Sequence, residues 1–511
     1  MTGLACCLML SCQQSPSNIP QLNPTSASTE ANATDVTEQQ ITAFCGGCHA
    51  MPKPGSFPKS AWYDEVKRGF DFYHQLKPKD LVPPPVQPVV EYFRSRAPAK
   101  LESTPDQSIP GPDRIRFQRE DLSLGKGSPL SKPVAVSFVG RWPKSSPRGN
   151  DLLISDMANG GIYLSTIHGR SAVTERLGEV QHPAVSHRCD LNGNGEPDLV
   201  VAELGSFSPA DHALGQVVWF ADVTDPKRRS PGVPLVKGIG RVADVQSADF
   251  DGDGDLDLVV AEFGWHKTGR VLLLRNEGDA MAPELTIQVI DPRPGAIHVP
   301  VIDLNRDGRP DFVVLISQEF EVIEAFLNRG DGSFDKKTIH AAEDPAFGSS
   351  GIQVVDMDAD GDEDLLFTNG DMFDSFLIKP YHGIQWLENT GGYPFQPHRL
   401  TAFPGVHRAL AADLDLDGDL DIVAGAFLPA AVRESSDGKH LDSLIWLEQT
   451  RPGTFERHAL ETGNCVHAAL ECADFDGDGD LDLAAGAFRD RGQSDQPAVT
   501  IWWNDLTRVK E

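Results

Sequence analysis

Asp249-Phe250-Asp251-Gly252-Asp253-Gly254-Asp255-Leu256-Asp257 sets carboxylates at positions 1, 3, 5 and 9 of nine residues, with glycine at position 6. The register recurs at Asp190, Asn192, Asn194, Gly195 and Asp198; at Asp303, Asn305, Asp307, Gly308 and Asp311; and at Asp356, Asp358, Asp360, Gly361 and Asp364. It returns at Asp413, Asp415, Asp417, Gly418 and Asp421, and at Asp474, Asp476, Asp478, Gly479 and Asp482, six copies in all. Alternate oxygen ligands on a tight loop converge on one point, and glycine permits the bend that returns the ninth residue to it. Positions 1, 3, 5 and 9 are therefore the expected calcium ligands, with up to six ions per chain. Position 7 varies freely (Glu196, Asp255, Arg309, Asp362, Asp419, Asp480), as suits a ligand supplied by its backbone carbonyl.

An EF-hand would need a bidentate glutamate at position 12 and a helix on either side. Position 12 instead holds Val201, Val260, Val314, Phe367, Ala424 and Ala485, inside apolar runs such as Leu256 to Ala261. These runs predict buried strands.

The formal charge of −30 is concentrated in the loops: two, four, three, four, four and four ligand carboxylates, 21 in all, of 75 acidic residues. Six calcium ions would bring the net charge to −18. Such a surface disfavours nucleic acid, and calcium should stabilise by binding only the folded state. The 47 glycines and 38 prolines suit a turn-rich β protein.

First loop residues are 59, 54, 53, 57 and 61 residues apart. Each unit reads as a strand before the loop, one after it, a third marked by an aromatic or leucine before Asn or Glu (Leu274 to Asn276, Phe326 to Asn328, Trp386 to Asn389, Trp446 to Glu448, Trp502 to Asn504), and a short polar fourth. Four strands per unit predict a propeller blade. A seventh unit, without acidic ligands between Arg141 and Arg148, precedes the six: Asn150 to Ser155 matches the second strand and Gly161 to Leu164 the third. The last unit ends at its third strand, and Ile115 to Glu120 is expected to supply the fourth, closing the ring and removing its open edges.

On these residues the chain resembles FG-GAP/VCBS repeats over about residues 113–508, similar to the calcium-binding blades of integrin alpha chains. The resemblance implies a seven-bladed propeller with structural calcium, Asn192, Asn194 and Asn305 lowering charge at three ligand positions. It implies no single activity, since the family hosts adhesion, binding and lyase functions.

Cys45-Gly46-Gly47-Cys48-His49 is the C-x-x-C-H attachment sequence of c-type haem, two thioether sites beside an axial imidazole. A zinc half-site would want a second Cys/His pair nearby, and a redox dithiol a βαβ context. Helices are expected at Thr37 to Phe44, with Thr37 as cap, at Lys59 to Phe72, and at Leu81 to Arg96 after Pro83 to Pro85. Residues 38–100 thus resemble a very small all-α cytochrome c-like domain. Met51 is too near His49 to reach the opposite haem face, which leaves His74 as the expected sixth ligand. A bis-histidine iron is an electron carrier, whereas a five-coordinate one binds peroxide or diatomic gas.

Residues 1–12 resemble the tail of a bacterial lipoprotein signal, with Cys12 as the lipidated residue, although no basic segment precedes the apolar run and the true start is expected upstream. Residues 13–37, rich in Ser, Pro, Asn, Thr and Gln, read as a disordered linker. The chain is thus expected to be exported, periplasmic or on the cell surface, and lipid-anchored, touching a membrane only through that anchor.

His182, His298, His407 and His467 precede inner strands on the face opposite the loops, as a candidate rim of the central channel, with Arg241 and Arg408 beside them. Polar caps on converging strands are the plainer alternative. Glu203 and Glu262 read as hydrogen-bonding groups between blades. Cys189, Cys465 and Cys472 read as free buried thiols. Three functions follow: a haem-binding cytochrome passing electrons to or from a docked partner; a calcium-dependent extracellular binding or adhesion protein meeting protein or carbohydrate; and a propeller oxidoreductase passing electrons to the haem. No nucleophile motif assigns a catalytic residue.

Overall fold

The computed structural model describes residues 36–506 except 77, 79, 103–105, 110–114, 125–131, 144–148, 279–282, 437 and 491–495. The proposed signal at 1–12, and all but the last two residues of the linker at 13–37, lie outside the described residues.

Seven antiparallel sheets form the propeller. In blade 2 the strands run outward as Pro183–Cys189, Asp198–Glu203, Gly215–Phe220 and Val233–Ile239. Blades 3 to 6 repeat this order, the inner strand of blade 4 being split into Ala296–His298 and Val301–Ile302. The second strands, such as Asp257–Glu262, Asp311–Ile316 and Asp421–Ala426, are buried at every position. Neighbouring blades cover both their faces, so continuous apolar runs replace alternation. The outer strands are largely exposed and face water, as in Phe334–Ala341.

Blade 1 consists of Val136–Pro143, Asn150–Asp156, Gly161–His168 and Ser171–Glu179, with the second and third strands where the sequence puts them. Residues 144–148 of its inter-strand turn lie outside the described residues. Blade 7 takes His467–Ala473, Asp482–Ala487 and Val499–Asn504 from the end of the chain, and Phe117–Leu122 from its beginning. The closing register pairs Phe117 with Asn504 and Leu122 with Val499, two residues further along than the sequence suggests.

Among the described residues three α-helices precede the ring. Helix α1 (Glu38–Cys45) starts in a capping box between Thr37 and Gln40; α2 spans Trp62–Leu76; and α3 (Val86–Arg96) starts directly after Pro85. Ile41, Phe57, Trp62, Val66, Phe70, Val89, Val90 and Phe93 form their core, with Trp62 stacked on Phe93 at 4.1 Å. That core continues into the propeller through Ala346 and Leu377. Lys53 Nζ donates to the Ala342 carbonyl at 3.0 Å, Ser56 bonds Asp344, and Arg68 bonds the Asp374 carbonyl. Phe72 lies 4.3 Å from the His266 ring. The helices therefore sit on connections of blades 3 to 5, on the face opposite the acidic turns. Among the described residues no helix is long and apolar enough to cross a membrane.

Candidate functional sites: six acidic turns and a Cys-x-x-Cys-His segment

Each acidic turn joins the inner strand of its blade to the second strand, and six hydrogen-bond networks repeat with little variation. The position 6 amide donates to the second carboxylate oxygen of position 1, from Gly195 to Asp190 at 2.7 Å through Gly254 to Asp249 at 3.0 Å to Gly479 to Asp474 at 3.2 Å. The position 7 amide donates to the position 5 side chain, as from Glu196 to Asn194 at 2.8 Å and from Asp255 to Asp253 at 2.9 Å. Glycine is needed at position 6, where φ is 85° to 102° across the six turns. Position 4 is left-handed as well, and there three copies carry side chains: Arg306, Ala359 and Leu416, with φ between 57° and 59°.

These turns gather side-chain oxygens. One carboxylate oxygen from each of Asp249, Asp251 and Asp253 lies within 4.8 Å of the others, and so do those of Asp356, Asp358 and Asp360, of Asp413, Asp415 and Asp417, and of Asp474, Asp476 and Asp482. Asp190, Asn192 and Asn194, and Asp303, Asn305 and Asp307, make the same turn with fewer charges.

Position 9 has a second task that the spacing does not announce. The Asp257 carboxylate accepts from the Phe250 amide at 3.1 Å and the Asn276 amide at 2.8 Å, tying the turn to the end of the third strand. Asp198, Asp311, Asp364 and Asp482 bind the corresponding pairs of amides, and Asp421 accepts from the Gln449 amide at 2.8 Å. Burial, aided by neighbouring loop carboxylates, pushes Asp257 up to about 6 and Asp421 and Asp482 up to about 7, against the pull of these amides. Blade 1 keeps this residue alone: Asp151 is buried and accepts from the Ile167 amide at 2.9 Å. Sequence reasoning missed Asp151. Aligning Asp151-Leu152-Leu153-Ile154 with Asp198-Leu199-Val200-Val201 would have found it.

Cys45 ends α1, and Gly46 and Gly47 turn the chain into Cys48 and His49. A Cβ on Gly47 would come within 2.4 Å of Leu81 Cδ2 and 3.0 Å of the Ala43 carbonyl, so this turn leaves little room for any other residue. Both cysteines are free thiols, and burial pushes Cys45 up to about 11, opposite to the activated thiolate of a redox dithiol. His49 Nδ1 lies 2.7 Å from the Ala50 carbonyl. A carbonyl only accepts, so Nδ1 carries the proton and Nε2 keeps its lone pair. Among the described residues the compact clusters of His, Cys and carboxylate ligand atoms do not include Cys45, Cys48 or His49. His74 lies exposed on the last turn of α2, edge-on to Tyr73 at 5.3 Å; Tyr73 in turn meets Phe44 at 5.2 Å, next to Cys45. Among the described residues the His74 imidazole has no hydrogen bond and makes no ring contact with His49. Met51 packs against the helical core.

His182, His298, His407 and His467 do stand at the starts of inner strands, but they are buried rather than open. His182 Nδ1 bonds the Met157 carbonyl at 2.9 Å, and His467 Nε2 bonds Glu461 at 2.5 Å. Phe207, Phe427 and Phe488 pack beside them, with His182 against Phe207 at 6.1 Å and His407 against Phe427 at 5.6 Å. Burial drives His407 down to about 3, so it stays neutral. His182 and His467 thus make cap-like hydrogen bonds, whereas both ring nitrogens of His407 are buried without a partner among the described residues. Arg408 bonds the Ile352 carbonyl at 2.6 Å, and Arg241 is fully buried over Phe263. Glu262 accepts from the Gly240 amide at 2.7 Å where blade 2 passes into blade 3. Cys189, Cys465 and Cys472 are free, as the sequence indicates.

Seven antiparallel blades, six of them with acidic first turns, define a repeat propeller. Residues 190–260, 249–314 and 303–367 match the family model for the FG-GAP-like repeat, so blades 2 to 5 carry FG-GAP-like repeats. No curated protein matches the chain.

Proposed function

We propose that this protein is an exported c-type cytochrome in which a helical haem module rests on a calcium-stabilised propeller and exchanges electrons with a docked partner. The observation that carries the haem reading is the His49 hydrogen bond to the Ala50 carbonyl, which would leave Nε2 free to ligate iron. Cys45 and Cys48 would hold the porphyrin as thioethers, with His49 and His74 as the candidate iron ligands. The bound haem would supply reversible one-electron chemistry; the chain supplies the imidazole tautomer, the apolar wall of Phe44, Phe70 and Tyr73, and a rigid seat. Docking on blades 3 to 5 fixes that seat. Lys379 at the joint is fully buried, bonds the Ala346 carbonyl at 2.7 Å and lies 5.1 Å from the Phe57 ring centre. Burial opposes its charge, but Asp374 at 3.6 Å and the nearby Asp344 and Asp371 outweigh that effect and hold it protonated.

The acidic turns fit calcium by donor chemistry: hard oxygen ligands, charge in excess of their surroundings, and raised position 9 carboxylates that a divalent cation would return to the ionised form. A second reading, calcium-dependent extracellular binding of protein or carbohydrate, is favoured by the FG-GAP-like repeats themselves, since that fold is consistent with extracellular binding. A pyridine haemochrome spectrum of protein produced with the c-haem maturation system separates the two. Covalent haem that is lost in Cys45→Ala and Cys48→Ala supports the cytochrome, and its absence from the wild type leaves the binding protein.

A further inference from the structure

A haem held by Cys45, Cys48 and His49 has one axial position left to fill, and a side chain outside the helical module is placed for it. On α2, Arg68 and Phe72 are four residues apart and share the face that meets the propeller: Arg68 bonds the Asp374 carbonyl, and Phe72 lies 4.3 Å from the His266 ring. His74 comes two residues later, roughly half a turn round the helix, and is exposed. His49 stands on the propeller side. Glu319, in the connection between the second and third strands of blade 4, is close enough to His49 for the two to interact electrostatically.

His266 occupies the same connection in blade 3, between Asp257–Glu262 and Arg270–Asn276. The connection is braced. Asp211 of blade 2 accepts from the Lys267 amide at 2.8 Å and the Thr268 amide at 3.1 Å, and the Trp265 amide donates to the Thr268 carbonyl at 2.9 Å. Asp211 also interacts electrostatically with both His266 and Glu319, which puts the blade 3 turn and the neighbourhood of His49 around one carboxylate. The His266 ring is held by Phe72 and by Trp265, whose ring is 4.4 Å away. Its Nε2 is buried and has no hydrogen-bond partner among the described residues. Buried polar nitrogens are normally paired, so an unpaired one on a braced turn calls for a partner that the polypeptide does not supply.

We propose that His266 of blade 3 is the second axial ligand of the haem, donated through Nε2 across the joint between module and propeller, in place of His74. The inference rests on the cytochrome reading: the module supplies Cys45, Cys48 and His49, and the propeller completes the coordination. Two histidine ligands make the iron an electron carrier, closed to peroxide and diatomic gas. The propeller then belongs to the redox centre instead of only carrying it. The same bond would fix the module on blade 3, adding to the contacts of Lys53, Ser56 and Arg68 with blades 4 and 5.

The full chain is produced with the c-haem maturation system, and covalent haem is read first from the pyridine haemochrome spectrum. Ferric wild type, His266→Ala and His74→Ala are then compared by absorption and electron paramagnetic resonance in calcium. The wild type should be low-spin. H266A should lose the low-spin signal and become high-spin, with its circular dichroism spectrum unchanged, and added imidazole should restore the signal; H74A should stay low-spin. His266→Met keeps the position filled and should raise the reduction potential, as a thioether ligand does. A high-spin wild type, an H266A that stays low-spin, an H74A that turns high-spin, or an H266M of unchanged potential overturns the assignment and leaves the cytochrome reading standing. A wild type without covalent haem overturns that reading and the assignment with it.

Discussion

Blade 1 and blades 2 to 7 solve the same problem with different parts. In blades 2 to 7 an acidic turn joins the first two strands, and the ninth residue reaches from that turn to the end of the third strand. Blade 1 has no acidic ligands in that region, yet Asp151 still receives the Ile167 amide. The two jobs folded into one motif therefore separate: position 9 serves the blade with or without an ion, whereas positions 1, 3 and 5 serve only the proposed calcium ion. Blade 1 also serves its neighbour's turn, with Asn150 donating to the Asp474 carbonyl at 2.9 Å and Arg170 to Asp476 at 3.1 Å.

The largest expected effect comes from removing calcium. Each site held at a hundred times its dissociation constant contributes about 2.7 kcal/mol, so several sites together dominate the stability of the ring. Melting in EGTA should fall well below melting in calcium, and hydrogen exchange should show the loss in the second strands of blades 2 to 7 before that of blade 1. An unchanged melting temperature would mean that the turns bind nothing. Next in size are the position 9 residues. Asp257→Ala strands two buried amides and should cost roughly 2–5 kcal/mol; Asp151→Ala strands Ile167 and should cost about 1–3 kcal/mol. The decisive readout is their dependence on calcium: D257A should shrink the calcium-induced gain in melting temperature, while D151A should leave it intact. Equal losses of that gain would erase the distinction between the blades.

Much of this was legible because the repeat writes its hydrogen bonds into fixed spacings. Asp at position 9, followed by an apolar run, fixed the second strands, and Trp or Phe before Asn or Glu fixed the third. Asp151 escaped because the units were aligned on their turns, and its turn had changed. The left-handed position 4 escaped because Arg306, Ala359 and Leu416 carry no glycine to signal it. Lys379 and the seat of the helices depend on contacts some 300 residues apart, such as Arg68 with Asp374, for which no local pattern exists. The four channel histidines were placed on the right strands, but whether they faced water depended on phenylalanines contributed by other blades.

Acidity offers a finer separation. In the calcium-free protein Asp257, Asp421 and Asp482 have folded values of about 6 to 7, above the ordinary aspartate range, so the folded state binds more protons than the unfolded one. Stability then falls as pH rises through that window. Their contribution is fully present below about pH 4 and lost above about pH 7. Calcium bound as proposed would hold the same carboxylates ionised, so the difference between melts in calcium and in EGTA should widen from pH 5 to pH 7.5. A difference that narrows over that range would place the raised carboxylates outside the metal sites.

The smallest expected effect lies at position 4, where the turns differ among themselves. Gly193, Gly252 and Gly477 adopt positive φ without penalty, whereas Ala359 holds φ at 58° against its Cβ. The left-handed conformation costs a residue with a Cβ about 1–2 kcal/mol, and glycine returns about 0.5–1 kcal/mol of that as extra freedom in the unfolded chain. Ala359→Gly should therefore stabilise by less than about 1 kcal/mol, and equally in calcium and in EGTA, because the strain belongs to the backbone of the turn and not to its ligands. A gain confined to calcium would mean instead that the turn reaches its left-handed form only around the ion, and that Ala359 is relaxed in its absence.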